Sequence, residues 1–126
     1  MEALLSPQQV FDYVVGFIIR QGAPSIYRSE EGIVCRYRSA DGKKCAVGCL
    51  IADRFYNEII ENYPSYNPLV MDRIEYLSDE GFCQLLRDLQ IVHDEAASLT
   101  NDFVNTFRYD ARYVAERHGL NWMWGS

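Results

Sequence analysis

Val10, Phe11, Val14, Phe17 and Ile18 recur at the spacing that puts them on one side of a helix. Ser6 stands as its N-cap, Pro7 takes the first helical position, and Gln9 completes a capping box. Gly22 supplies the stop. From Ala23 to Gly32 the pattern lapses, and Pro24 and Gly32 mark a loop. Alternation then begins. Cys35 and Tyr37 interleave with Arg36 and Arg38, which predicts a strand with its arginines turned outward. Asp41-Gly42 is a tight-turn signal, and the return strand is expected over Lys43 to Ala46. Two short strands need cover, so this hairpin must lie against helices.

Beyond Gly48 the period becomes helical. Asp53 is expected to cap a segment containing Phe55, Tyr56, Ile59 and Ile60 that ends at Pro64. A loop follows over residues 63–68, and Val70, Ile74 and Leu77 suggest a short helix. Ser78 caps the clearest helix of the chain, with Asp79 and Glu80 in its first turn, where the helix dipole favours acids. Its stripe is Phe82, Leu85, Leu86 and Leu89. Phe103, Val104, Phe107, Ala111, Val114 and Ala115 define a last helix that stops at His118-Gly119. The expected fold is mainly α (a small α+β protein): four to five helices packed around one short β-hairpin, in a single domain over residues 1–126.

Composition agrees with this picture. At 48% hydrophobic, the chain can bury a core without metal or disulfide staples. There is no apolar run long enough to span a bilayer and no basic-then-apolar leader, which predicts a soluble protein of the bacterial cytoplasm. Its four cysteines suit free thiols in a reducing compartment. Charge is uneven within a net −6: residues 20–44 hold six cations against three acids, whereas residues 53–102 hold eleven acids against three arginines. Such an acidic half suits a basic partner and repels a phosphate backbone.

Candidate chemistry centres on Cys35, Cys45, Cys49, Cys83, His93 and His118. Zinc needs four convergent S or N ligands. The set Cys35, Cys45, Cys49 and His93 could supply them, but Cys45 and Cys49 form the sole close pair, and small apolar residues separate them. Thiols in the core are the favoured reading. A thiol enzyme would use Cys45 or Cys49 with His93 as base and Asp94 as its orienter. The milder reading of His93-Asp94 is a polar corner near a helix C-terminus, with Asp94 capping the next turn. Phosphate-loop, dinucleotide, zinc-protease and serine-hydrolase motifs are absent from the sequence, and no cofactor is expected. Arg36, Tyr37, Arg38, Lys43 and Lys44 could meet nucleic acid, but a pI near 4.8 argues against it. The apolar tail Leu120 to Trp124 either folds back on the core or, if exposed, anchors a partner or a second copy.

The run Cys35-x-Tyr37-Arg38, then Asp41-Gly42-x-Lys44-Cys45-Ala46-Val47-Gly48-Cys49-Leu50-Ile51-x-Asp53, resembles a group of small bacteriophage and bacterial proteins. Leu85-Leu86, Leu89-Gln90-x-x-His93-Asp94 and Ala115 with His118-Gly119-Leu120 extend the resemblance over most of the chain. Two departures are Ala52, where relatives often carry Pro, and a longer connection over residues 57–77. The resemblance implies company rather than a reaction. By analogy with small acidic phage proteins, the expectation is an accessory protein that binds a host or phage protein and inhibits a host defence or nucleic-acid-binding protein. Asp72, Glu75, Asp79, Glu80, Trp122 and Trp124 are its expected contacts. The alternative is a thiol- or zinc-dependent site built on Cys45, Cys49 and His93.

Overall fold

The computed structural model describes residues 6–74, 81–99 and 102–125. Helix α1 spans Pro7–Gln21 and is closed at both ends as its sequence demands. Ser6 Oγ accepts from the Gln9 N–H at 3.2 Å, and Gln9 Oε1 accepts from the Ser6 N–H at 2.8 Å. Gly22, at φ 76°, donates its N–H to the Ile18 carbonyl. A two-stranded antiparallel hairpin follows, β1 (Ile26–Ser29) and β2 (Gly32–Cys35), in the register Ile26 opposite Cys35. Single turns of 3-10 helix occupy Gly48–Leu50, Asp53–Phe55 and Glu58–Asn62. Then come the one-turn α2 (Pro68–Met71) and the long helices α3 (Gly81–Leu99) and α4 (Phe103–Arg117). The protein is mainly helical, one compact unit with one hairpin.

The hairpin is not where the sequence pattern puts it. The stretch expected to be loop contains β1, and the strands expected over 35–38 and 43–46 shrink to one bridge between Arg38 and Lys44. The Asp41-Gly42 turn does form, with Gly42 at φ 85°. Its ladder does not propagate because the Glu61 carboxylate takes the Tyr37 N–H (2.8 Å), the donor the next rung would use, and also holds the outward Arg38 N–H (3.1 Å). A backbone donor already bonded to a side chain is lost to a ladder. Asp53 does not cap a helix either. It pairs with Arg38 at 2.8 Å, and extended backbone at Asn57 separates two short 3-10 turns where one helix was expected. The helix expected through Leu77 is α2 as far as described, and the Ser78 cap lies outside the described residues.

Helices α1, α3 and α4 pack around Val10, Phe11, Val14, Ile18, Leu85, Leu86, Leu89 and Phe107. Into this core runs the segment 45–51, buried at every residue. Gly48 sits where a Cβ would lie 2.1 Å from the Tyr37 carbonyl oxygen, so two stretches of backbone touch there. Among the described residues, no helix is long and apolar enough to cross a membrane.

Candidate functional site

Arg87, Gln90, Ile91 and Asp94 follow one another at helical intervals along α3 and share the face turned towards β2 and residues 61–66. They line a cleft of about 310 Å³ together with Cys35, Tyr37, Tyr63, Pro64 and Tyr66. Two of these residues, Gln90 and Asp94, belong to a hydrogen-bonded chain that runs into the core. The Ser25 N–H donates to His93 Nε2 at 3.1 Å, His93 Nδ1 lies 2.9 Å from Asp94 Oδ1, and Gln90 Nε2 donates to the same oxygen at 2.8 Å. Gln90 Oε1 accepts from the Val47 N–H at 3.0 Å. Three neighbouring side chains of α3 thus tie the helix to the buried segment and to the approach to β1. His93 is fully buried and lies in the middle of α3, not at a helix end, and Asp94 is helical rather than a cap.

These bonds fix the histidine's chemistry. Nε2 accepts a backbone proton, so it carries a lone pair, and the single ring proton of the neutral imidazole is on Nδ1, donated to Asp94. Cys35, His93 and Asp94 place ligand atoms within 4.8 Å of one another, the one such group among the described residues. A metal on Nδ1 would force the proton onto Nε2, directly against the Ser25 N–H. The trio is a poor ligand set as folded.

The thiols tell the same story. All four cysteines are free. Cys45 Sγ accepts from the Gly48 N–H, and Cys49 Sγ donates to the Ala46 carbonyl. Burial pushes the Cys45 thiol well above its ordinary pKa and raises Cys49 to about 12. Cys35 rises to about 12 through burial and the charge and hydrogen bond of Asp94. A nucleophilic thiol needs the opposite shift. Of the residues proposed from sequence, the fold brings Cys35 to His93 and Asp94, and it commits Cys45 and Cys49 to backbone hydrogen bonds in the core. Iodoacetamide at pH 8 should therefore label Cys35 at least tenfold more slowly than a free cysteine in peptide form. Labelling as fast as the peptide would show an activated thiol.

The outward arginines are also engaged. Arg38 donates to the Ile51 carbonyl at 2.7 Å and stacks over Tyr56, while Arg36 bonds the Arg38 carbonyl and lies 3.9 Å from Glu61. The tail is docked. Trp122 packs edge-on against Phe11 with centroids 6.2 Å apart, and Trp124 fills the notch at Gly16, where a Cβ would come within 2.7 Å of its ring. Met123 is left exposed. Of the acids expected to bind a partner, Asp72 is exposed at the end of α2, and Glu75, Asp79 and Glu80 lie outside the described residues.

A second depression, of about 250 Å³, runs between α3 and α4 and had no counterpart in the sequence reading. Ile91 separates it from the cleft, and Glu95, Asp110 and Tyr113 line it. Tyr109 and Tyr113 are 62% and 50% exposed, with rings 5.4 Å apart and hydroxyls 3.1 Å apart. Their i, i+4 spacing on the polar side of α4 was the available signal.

Comparison with family models, curated proteins and solved structures finds no match for this chain.

Proposed function

We propose that this protein acts by binding rather than by catalysis, and that its α3–α4 groove takes a basic segment of a protein partner. The observation that carries this is the uncompensated charge beside exposed tyrosines. Asp88 in the groove is matched by Arg117 at 3.2 Å and His118 at 2.7 Å, but among the described residues Glu95 and Asp110 have no cationic partner. Tyrosine faces and unpaired carboxylates both attract lysine and arginine, and tyrosine is enriched where interfaces hold their energy. The role of an accessory protein that occupies a basic, nucleic-acid-binding surface, expected by analogy with small acidic phage proteins, is of this kind. The thiol or zinc alternative draws no support from raised thiols and a histidine whose lone pair is taken.

The test is affinity capture from bacterial lysate at physiological salt, comparing the wild type with the double variant Glu95→Lys/Asp110→Lys. A basic partner retained by the first and reduced at least tenfold with the second, at unchanged far-UV circular dichroism, is the expected result. Equal retention by the reversed variant would sink the groove as the binding surface.

A further inference from the structure

The cleft on the other side of Ile91 offers more than shape. Asp94 is oriented by Gln90 and by His93, both on Oδ1. An ionised carboxylate offers about four acceptor positions. Two donors leave acceptor positions for an incoming group, and the side chain is 42% exposed. At the rim, the Arg87 guanidinium lies over the Tyr66 ring, 5.0 Å from its centroid, and among the described residues it has no carboxylate partner. Tyr63 is a second partly exposed aromatic in the wall. The two functional ends stand two helical turns apart on α3, a rise of about 10 Å.

The cleft therefore presents an oriented acceptor at one end, aromatic rings in its wall, and at the other a cation that rests on Tyr66 and has no carboxylate partner among the described residues. A purely cationic ligand would meet Arg87, and a purely anionic one would meet Asp94. What complements all three is a planar heterocycle with an N–H donor on its edge and an anionic group at its far end. We infer that the cleft binds a purine nucleoside monophosphate, its base edge donating to Asp94, its ring against Tyr63 and Tyr66, and its phosphate on Arg87. The volume sits at the lower end of the range for small-molecule sites, about 300–1,000 Å³, which suits a mononucleotide and not a longer chain. Base–aromatic stacking tolerates either purine, so the site is expected to discriminate by phosphate and donor edge rather than by stacking. This site shares no charged residue with the groove proposed for the protein partner, and either can fail without the other.

Isothermal titration of the full chain with guanosine 5′-monophosphate, adenosine 5′-monophosphate, guanosine and inorganic phosphate tests it. The expected result is saturable binding of at least one monophosphate, at least tenfold tighter than guanosine or phosphate alone. Arg87→Ala, at an exposed position, should weaken the monophosphate at least tenfold while leaving guanosine unchanged. Asp94→Asn should weaken both, with the amide resonances of residues 87–94 shifting in wild type only. No heat with either monophosphate at millimolar concentration, phosphate binding as tightly as the nucleotide, or affinities untouched by both substitutions would each overturn the proposal.

Discussion

Gly48→Ala is expected to cost about 3 kcal/mol of stability or more, towards the upper end of what overpacking does. The added methyl would lie 2.1 Å from the Tyr37 carbonyl oxygen, 2.8 Å from its carbon and 3.1 Å from its Cα. All three are backbone atoms, so no side-chain rotation relieves the contact. Tyr37 cannot withdraw easily. Glu61 holds its N–H, its own carbonyl accepts from Cys45, and its hydroxyl donates to the Tyr63 carbonyl at 2.6 Å. Gly42→Ala is the matched control. Its φ of 85° carries a backbone penalty of about 1 kcal/mol, but nothing lies within 4 Å of the new Cβ. Urea unfolding of the two variants should separate them clearly. Equal midpoints would mean that the backbones at 37 and 48 do not touch.

His93→Leu should cost nearly as much, about 2–4 kcal/mol, for a different reason. Leucine fills much of the volume but leaves the Ser25 N–H buried and unpaired and removes a donor from Asp94. An orphaned buried polar group costs about 1–3 kcal/mol, and the imperfect shape adds to it. His93→Gln, which can again present an acceptor, should recover part of the loss. A ligand-binding or catalytic histidine would behave otherwise: its loss would change activity and leave thermal unfolding nearly untouched. If the leucine variant unfolds within about 0.5 kcal/mol of wild type, the size expected of an uncommitted position, the hydrogen-bonded chain through His93 does not hold the fold.

What could be read in advance follows the range of the interaction. Ser6 with Gln9, Gly22, and His118-Gly119 mark helix ends through contacts within a few residues, and α1 and α4 stop where those signals say. The Asp41-Gly42 turn was legible too, and it forms. Its ladder was vetoed by Glu61, a residue more than twenty positions away whose reach no local pattern announces. His93 shows the same limit. Its apolar neighbours put it on a helix, but its partner Ser25 lies 68 residues upstream, and that partner decides the tautomer and with it the metal question. The α3–α4 groove was missed because the apolar seam of α4 dominates its pattern, while Tyr109 and Tyr113 stand on the opposite side.

The docked tail carries one more implication, for the order in which the protein is assembled. Gln8 Nε2 donates to the Asn121 carbonyl, and Gln8 Oε1 accepts from the Asn121 N–H, across 113 residues. Around that pair, the tryptophans cover Phe11 and the notch at Gly16. Helix α1 is made before α3 and α4, and the tail that completes its cover is made after both. Until then the growing chain on the ribosome displays an unshielded apolar seam, the kind of surface that recruits chaperones or aggregates. Helices α3 and α4 cover most of that seam, and the two tryptophans complete its cover at Phe11 and Gly16.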